Sequence, residues 1–240
     1  MNNAQKRIIF VFVPLTLLIL LLDPTGPRFE YVQFLRYGTV LALGLTVAAA
    51  PKPYPEQRIM APAFLFMALG DFFLVFIHTI ESFSCDLSGF GILSFLAGYL
   101  FLIKAYQKNI IHGKAELCML ALYLILSLMI GRTLSPYVRG GSRLLGAAFL
   151  TVLCIMAWQA AATLYGRYYS RKAATMIAAS GALMYLCDAG IAFSLFHPYY
   201  SVTYIAWLKN IVWAAYLSGW SLAAMVIAED DLYTGSTDRI

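Results

Sequence analysis

The sequence predicts an all-α, polytopic transmembrane helical bundle of about eight spans, forming a single integral membrane domain over residues 1–240. The first observation is the composition: 61% of the 240 residues are hydrophobic and 12% are charged, which is too few charges for a water-soluble surface. The second is a mean hydropathy of +0.75. The third is that nearly all charged residues fall between long apolar runs, whereas strands of a β-barrel would alternate lipid-facing and lumen-facing residues.

Eight apolar runs are long enough, or nearly long enough, to cross a bilayer, which needs about 20 helical residues. They cover residues 8–22, 34–50, 59–77, 90–105, 117–130, 144–165, 173–196 and 204–228. The first, fourth and fifth runs are shorter than a usual span. We therefore expect their helices to recruit flanking residues, or the bilayer to thin around them.

The distribution of Lys and Arg predicts the orientation of the chain. These residues are concentrated in the segments that would share a side with the amino terminus, so the positive-inside rule predicts that both termini are cytoplasmic. The short loops and the absence of glycosylation sequons in the expected outer loops favour a bacterial inner membrane. Although the formal net charge is +5, the basic residues are scattered through short loops, which argues against nucleic acid as a partner.

No sequence motif points to a metal or a cofactor. The four cysteines, Cys85, Cys118, Cys154 and Cys187, are widely spaced and suggest neither a disulfide framework nor a zinc site. The chain also lacks an HExxH motif, a P-loop and a Gly-x-Ser-x-Gly motif. We expect no metal site and no cofactor, and the composition leaves the oligomeric state open.

Two acidic residues lie well inside the apolar runs: Asp71 in the third and Asp188 in the seventh. A carboxylate near the centre of a spanning helix costs about 2.5 to 3.5 kcal/mol on insertion scales, so such residues normally face the bundle interior and serve a function. Both spans run in the same direction, and both aspartates are expected at nearly the same depth. We expect them to share one cavity, although each could instead be a structural group bonded to a neighbouring helix.

Two further polar side chains are expected near the depth of the aspartates. Arg36 opens the second span from the outer side, where a guanidinium can reach the interface or pair with an aspartate. Tyr99 lies in the fourth span, where its phenol can donate a hydrogen bond or simply pack.

Four short motifs, taken in order, resemble a known family. They are Leu-Gly-Asp at 69–71, Gly-Ile-Leu-Ser-Phe at 91–95, Ser-Gly at 180–181 leading to Cys-Asp at 187–188, and Tyr-Leu-Ser-Gly at 216–219. In these motifs the chain resembles the YhhN or lysoplasmalogenase family of small multi-span membrane proteins. The resemblance covers most of the chain in motif order and span number.

The chain also departs from the family pattern. Where the family usually has Lys-Pro-x-Thr, this chain has Arg36-Tyr-Gly-Thr39, which keeps the cation and the threonine. A family histidine falls on Tyr99, a tyrosine falls on Leu102, and a Gln or His falls on Trp220.

The resemblance implies hydrolysis of the vinyl-ether bond of a lysophospholipid, the lysoplasmalogen, to a fatty aldehyde and glycerophosphoethanolamine or glycerophosphocholine. On this reading Asp71 and Asp188 are the catalytic pair. One would be the general acid, and the other would stay ionised, stabilise the oxocarbenium ion and deprotonate water, as in glycoside hydrolysis. The expected substrate-binding residues are Arg36, Thr39, Tyr99 and Tyr216.

Two other classes of function remain open from the sequence. Intramembrane aspartates also serve as proton or cation relays in transporters, although no strongly Gly/Pro-interrupted pair of spans is visible. A non-catalytic protein that keeps the family fold is the second alternative, because the family histidine is absent.

Overall fold

The computed structural model describes residues 1–22, 30–79, 87–107, 113–202 and 206–233. Within these ranges the chain forms nine α-helices and one 3-10 helix, Phe76–Thr79. The α-helices are α1 (Asn3–Leu22), α2 (Glu30–Ala49), α3 (Pro55–Leu74), α4 (Ser88–Tyr106), α5 (Lys114–Leu134), α6 (Gly141–Ala162), α7 (Arg171–Phe196), α8 (Pro198–Val202) and α9 (Ala206–Ile227).

Eight of the described helices, all except α8, are long and apolar enough to cross a membrane. The predicted class, an all-helical polytopic membrane bundle, is therefore confirmed. The three short runs did recruit flanking residues: α1 has 20 residues, α4 has 19 and α5 has 21. In α5 the added residues include Lys114, Glu116 and Arg132, which a hydropathy window excludes but which are good helix formers.

Two local features differ from the expected span limits. Helix α3 ends at Leu74 and the 3-10 helix begins at Phe76, so the predicted end of the third span falls inside a tighter turn. Pro198, which lies beyond the seventh predicted span, is the first residue of the short helix α8. Proline suits its first position there, because the missing N–H would have no partner inside the helix.

Helices α3 and α4 pack closely, as do α7 and α9, and glycines set both approaches. A Cβ atom added to Gly91 of α4 would lie 3.1 Å from the Gly70 carbonyl oxygen and 2.5 Å from Leu74 Cγ, both on α3. A Cβ atom on Gly219 of α9 would lie 3.3 Å from side-chain atoms of Leu183 and Met184 on α7. Small residues permit such approaches between membrane helices. They fix the rotation of the four helices that carry the aspartates and the site tyrosines.

Residues at the start of α1 and just after α9 meet at one end of the bundle. The Asn2 side-chain amide donates hydrogen bonds to the Ala228 carbonyl oxygen at 2.5 Å and to Asp230 at 2.8 Å. Nearby, the Gln5 amide donates to Glu229 at 2.6 Å. We call this end of the bundle the terminal end.

Candidate active site in the bundle interior

The two intramembrane aspartates are buried, and each accepts a hydrogen bond from a tyrosine. Asp71 on α3 is 6% exposed and accepts a 2.5 Å hydrogen bond from the Tyr216 hydroxyl of α9. Asp188 on α7 is 7% exposed and accepts a 2.5 Å hydrogen bond from the Tyr99 hydroxyl of α4. Hydrogen bonds to a carboxylate are short and strong, and these two restrict the rotation of the carboxyl groups.

Aromatic rings join the two pairs into one cluster. The Trp220 ring is nearly parallel to the Tyr99 ring, with 6.4 Å between their centroids, and Trp220 follows Tyr216 by one helical turn. The Phe95 ring lies 6.4 Å from Tyr99 and 6.2 Å from Tyr216. The two aspartate–tyrosine pairs therefore share one aromatic wall.

The two carboxyl groups also interact electrostatically. The charge of Asp188 acts on Asp71, and both carboxyl groups act on the buried thiol of Cys187. Charges interact strongly in a buried environment of low dielectric constant, so protonation of one aspartate changes the energy of ionising the other.

Arg36 lies on the Asp71 side of this cluster. It is buried on α2, its guanidinium carbon lies 4.4 Å from the Trp213 ring centroid, and its Nη1 donates to Gln33 at 3.2 Å. The Trp213 ring in turn meets the Tyr216 ring edge to face at 5.6 Å. A cation above a tryptophan is attracted by the ring, so Arg36 is connected to Asp71 through two aromatic residues.

Sequence reasoning missed Trp213, although a signal for it exists. It precedes Tyr216 by three residues on α9, so the two side chains share a helix face. Thr39, by contrast, was singled out, and its hydroxyl donates a 2.7 Å hydrogen bond to the Leu35 carbonyl oxygen of its own helix.

A cavity of about 330 Å³ reaches one of the two aspartates. It lies between α4, α5, α6 and α7, and Asp188 is part of its wall. Most of the remaining wall is apolar, with Phe95, Leu150 and Leu195 as examples. Among the described residues, Asp71 is not part of the wall, although Leu74, one turn further along α3, is.

The cavity extends from Asp188 toward the connection between α5 and α6, at the end of the bundle opposite the terminal end. Ser135, Ser142 and Arg143 line it there, and we call these three residues the mouth. Sequence reasoning did not select them. None of Arg36, Thr39, Tyr99 and Tyr216 is among the described residues of the cavity wall.

No metal site is visible in the part of the chain that the structure describes. There, no group of three or more His, Cys, Asp or Glu residues is arranged so that it could hold a metal ion.

Comparison with known families identifies the chain more closely. The model of the YhhN family matches residues 32–228, which is most of the chain and includes both aspartates and both site tyrosines. The chain belongs to the YhhN family. The resemblance predicted from the four motifs is thereby confirmed.

The YhhN family is known generally as a lysoplasmalogenase family and is of hydrolase type. Comparison of this YhhN protein with curated proteins and with solved structures gave no significant match. Its specific reaction therefore has to be argued from the site itself.

Proposed function

We propose that this YhhN protein is a membrane hydrolase that cleaves the vinyl-ether bond of lysoplasmalogens. The products would be a fatty aldehyde and glycerophosphoethanolamine or glycerophosphocholine. The observation that carries this proposal is a buried carboxyl group, Asp188, at the end of an apolar cavity and in the same aromatic cluster as a second carboxyl group, Asp71. Family membership supports the same class of reaction.

In this mechanism Asp188 is the general acid, because it is the aspartate that a molecule in the cavity can touch. Tyr99 donates its hydrogen bond to Oδ2 of Asp188, so the acidic proton belongs on Oδ1. That proton passes to the vinyl carbon farther from the ether oxygen. The adjacent carbon becomes part of an oxocarbenium ion, as in glycoside hydrolysis.

Water then completes the reaction. The Asp188 carboxylate left by the first step accepts a proton from a water molecule as the water adds to the oxocarbenium carbon. The resulting hemiacetal breaks its bond to the glycerol oxygen, which takes up a proton. One water is consumed, one C–O bond is broken, and an aldehyde and an alcohol are released.

Asp71 has a supporting role in this proposal. Two buried carboxyl groups that interact cannot both be charged at low cost, so we assign the negative charge to Asp71 and the proton to Asp188 before substrate is cleaved. An ionised Asp71 would stabilise the oxocarbenium ion electrostatically. Arg36, acting through Trp213 and Tyr216, would stabilise the charge of Asp71, and Thr39 lies one turn beyond Arg36 on α2.

The cavity suits a single-chain lipid. Its volume of about 330 Å³ is at the lower end of the usual range for ligand pockets, and its wall is mostly apolar. An apolar wall favours a hydrocarbon chain and excludes water from the oxocarbenium ion until water is needed. In the proposed setting the protein lies in a bacterial inner membrane with both termini cytoplasmic, and the mouth faces outward.

The direct test is a panel of lysolipids with alkenyl, alkyl and acyl chains, incubated with the purified protein and analysed by mass spectrometry. Selective loss of the alkenyl lipid with release of aldehyde is the expected result. The Glu116→Gln variant should keep this activity, because it changes a buried carboxyl group outside the aspartate cluster. An intact alkenyl lipid would refute hydrolysis, and proton- or sodium-dependent flux in liposomes would then favour a transporter.

A further inference from the structure

The cavity is polar at its two ends and apolar between them. At the inner end is Asp188, and at the mouth are Ser135, Ser142 and Arg143. Arg143 is exposed at the start of α6, and its Nη2 donates a 3.1 Å hydrogen bond to the Ser135 hydroxyl oxygen. This bond crosses from α6 to the end of α5 and holds the guanidinium at the mouth.

The polypeptide around the mouth is positively charged. Arg132, Arg139 and Arg143 all belong to the end of α5, the start of α6 or the connection between them. From residue 117 to residue 187 the sequence contains no Asp or Glu. The one carboxylate of these two helices, Glu116, lies at the opposite end of α5 from these arginines, so the mouth is suited to an anionic group.

The distance between the mouth and Asp188 follows from the packing of α6 against α7. A Cβ atom on Gly181 of α7 would contact Ala157 and Ala160 of α6, which sets the register of these antiparallel helices. Asp188 lies seven residues beyond Gly181 on α7. Because α6 runs in the opposite direction, Asp188 is level with a residue about eight positions beyond Arg143 on α6. At 1.5 Å per residue this is about 12 Å along the helix axis.

A lysophospholipid has a suitable spacing between its charged and reactive groups. Seven bonds separate the phosphorus of a lysoplasmalogen from its protonated vinyl carbon. An extended chain covers about 3.5 Å per three bonds, so these atoms lie about 8 Å apart. A hydrogen bond of about 3 Å at each end extends this length enough to connect the mouth to Asp188.

We propose that Arg143, assisted by Ser135 and Ser142, binds the phosphate of the lipid head group and thereby places the vinyl ether at Asp188. The guanidinium presents parallel N–H donors that match phosphate oxygens, and the two serine hydroxyls are further donors. This inference rests on the proposed hydrolysis. It adds a substrate requirement: the lipid must carry a phosphate, whereas the rest of the head group can vary.

The apolar part of the cavity then accommodates the hydrocarbon chain next to the vinyl ether. Arg143 is a positioning residue here, because it touches the substrate away from the reacting atoms. Its loss should affect phosphate-bearing substrates and leave the chemistry at Asp188 intact. This selective effect distinguishes it from a residue that only supports the fold.

The test compares two substrates in two proteins. Aldehyde release is measured for a lysoplasmalogen and for 1-alkenylglycerol, which lacks the phosphate, with wild-type protein and the Arg143→Gln variant. Wild type should prefer the phosphate-bearing lipid by about 10-fold to 100-fold in kcat/KM, the range expected for hydrogen bonds to charged groups. Arg143→Gln should lose this preference and retain its activity on 1-alkenylglycerol.

Two arginines of the same connection provide matched controls. Arg132 and Arg139 are exposed and are not among the described residues of the cavity wall. The Arg132→Gln and Arg139→Gln variants should keep the wild-type preference. An equal loss in all three variants would show a general effect of positive charge and would overturn the assignment to Arg143.

A binding measurement separates this inference from the proposed reaction. Calorimetry with a saturated 1-alkyl lysophospholipid and with 1-alkylglycerol requires no cleavage. Tighter binding of the phosphate-bearing lipid that depends on Arg143 supports the head-group site, even if wild type hydrolyses nothing and the proposed reaction fails. Equal cleavage of both alkenyl substrates by wild type overturns the head-group site and leaves the hydrolase intact.

Discussion

The bundle contains two buried polar regions, and they differ in how completely their carboxyl groups are bonded. At the terminal end, Glu56 accepts hydrogen bonds from the Tyr168 and Tyr233 hydroxyls. There too, Glu229 accepts from Gln5 at 2.6 Å and forms an ion pair with Lys172 at 2.6 Å. In the aspartate cluster, each carboxyl group accepts one hydrogen bond from a tyrosine.

The terminal region has the properties of a structural network. Gln57 adds hydrogen bonds from its amide to the carbonyl oxygens of Val226 and Glu229, at 3.3 and 2.7 Å, at the end of α9. These are backbone acceptors that a helix end leaves without intrahelical donors. A buried network whose members are bonded in this way connects helices rigidly, in this case α1, α3, α7 and α9.

Counting partners from the described residues only, the aspartate cluster is less completely bonded, and it lies next to a cavity. A carboxyl group with an oxygen still available can exchange a proton with a substrate, and a membrane interior makes such a group costly unless it serves a function. The contrast teaches that burial alone does not mark a catalytic carboxyl group. Incomplete bonding beside a cavity is the more informative sign.

The largest expected effect is on activity, from a change at Asp188. Asp188→Asn keeps the size of the side chain but cannot deliver the proton. We expect vinyl-ether cleavage to fall by about 100-fold to 10,000-fold, the usual contribution of general acid–base catalysis. Aldehyde release in detergent measures this, and an unchanged unfolding temperature would show that the fold is retained. Near-normal turnover in this variant contradicts the assignment of Asp188 as the acid.

A change at Glu56 should have the opposite profile. Glu56→Ala deletes the buried acceptor of the Tyr168 and Tyr233 hydroxyl hydrogen bonds, and a hydrogen bond to a charged group contributes about 1.5 to 3 kcal/mol. We expect a clearly lower unfolding temperature in detergent and nearly normal activity per folded molecule. If the variant folded normally but lost cleavage, the division into a structural region and a catalytic region would be wrong.

Removal of one tyrosine hydroxyl in the cluster should have a smaller effect on activity. Tyr99→Phe keeps the ring against Trp220 and deletes the hydrogen bond to Asp188. Asp188 becomes a carboxylate as it gives up its proton, so loss of this hydrogen bond to a developing charge should lower kcat by about 10-fold or somewhat more. Tyr106→Phe is the matched control, because Tyr106 is a buried tyrosine on the same helix. Equal effects of the two substitutions on kcat would mean that Tyr99 acts only through packing.

The smallest expected effect concerns alkaline pH. The pKa of Tyr233 is raised above its ordinary value of 10.0, mainly by burial and secondarily by the hydrogen bond to Glu56. An acid whose folded pKa is raised contributes stability below its unfolded pKa and loses that contribution as the pH rises. Stability should therefore decrease above about pH 10 in the wild type and decrease less in Tyr233→Phe, as measured by unfolding temperature. Parallel pH profiles for the two proteins would contradict this role of Tyr233.

Much of the fold was predictable because membrane insertion depends on local composition. The apolar runs identified the eight spans, and the cost of an intramembrane carboxylate singled out Asp71 and Asp188. The limits of α5 were less predictable, since its terminal charged residues favour helix as strongly as the apolar ones do. The hydrogen bond from the Thr39 hydroxyl to the Leu35 carbonyl oxygen of its own helix could not be predicted from residue type alone.

The sequence by itself determined that this chain is a membrane bundle of the YhhN family with two carboxyl groups inside it. Only the tertiary structure decided that Tyr99 pairs with Asp188, that Tyr216 pairs with Asp71, and that a cavity joins Asp188 to Arg143. The physical reason is that hydropathy is a property of each segment, whereas side-chain partners depend on how each helix is rotated. That rotation is set by close contacts between distant segments, such as those at Gly91 and Gly219.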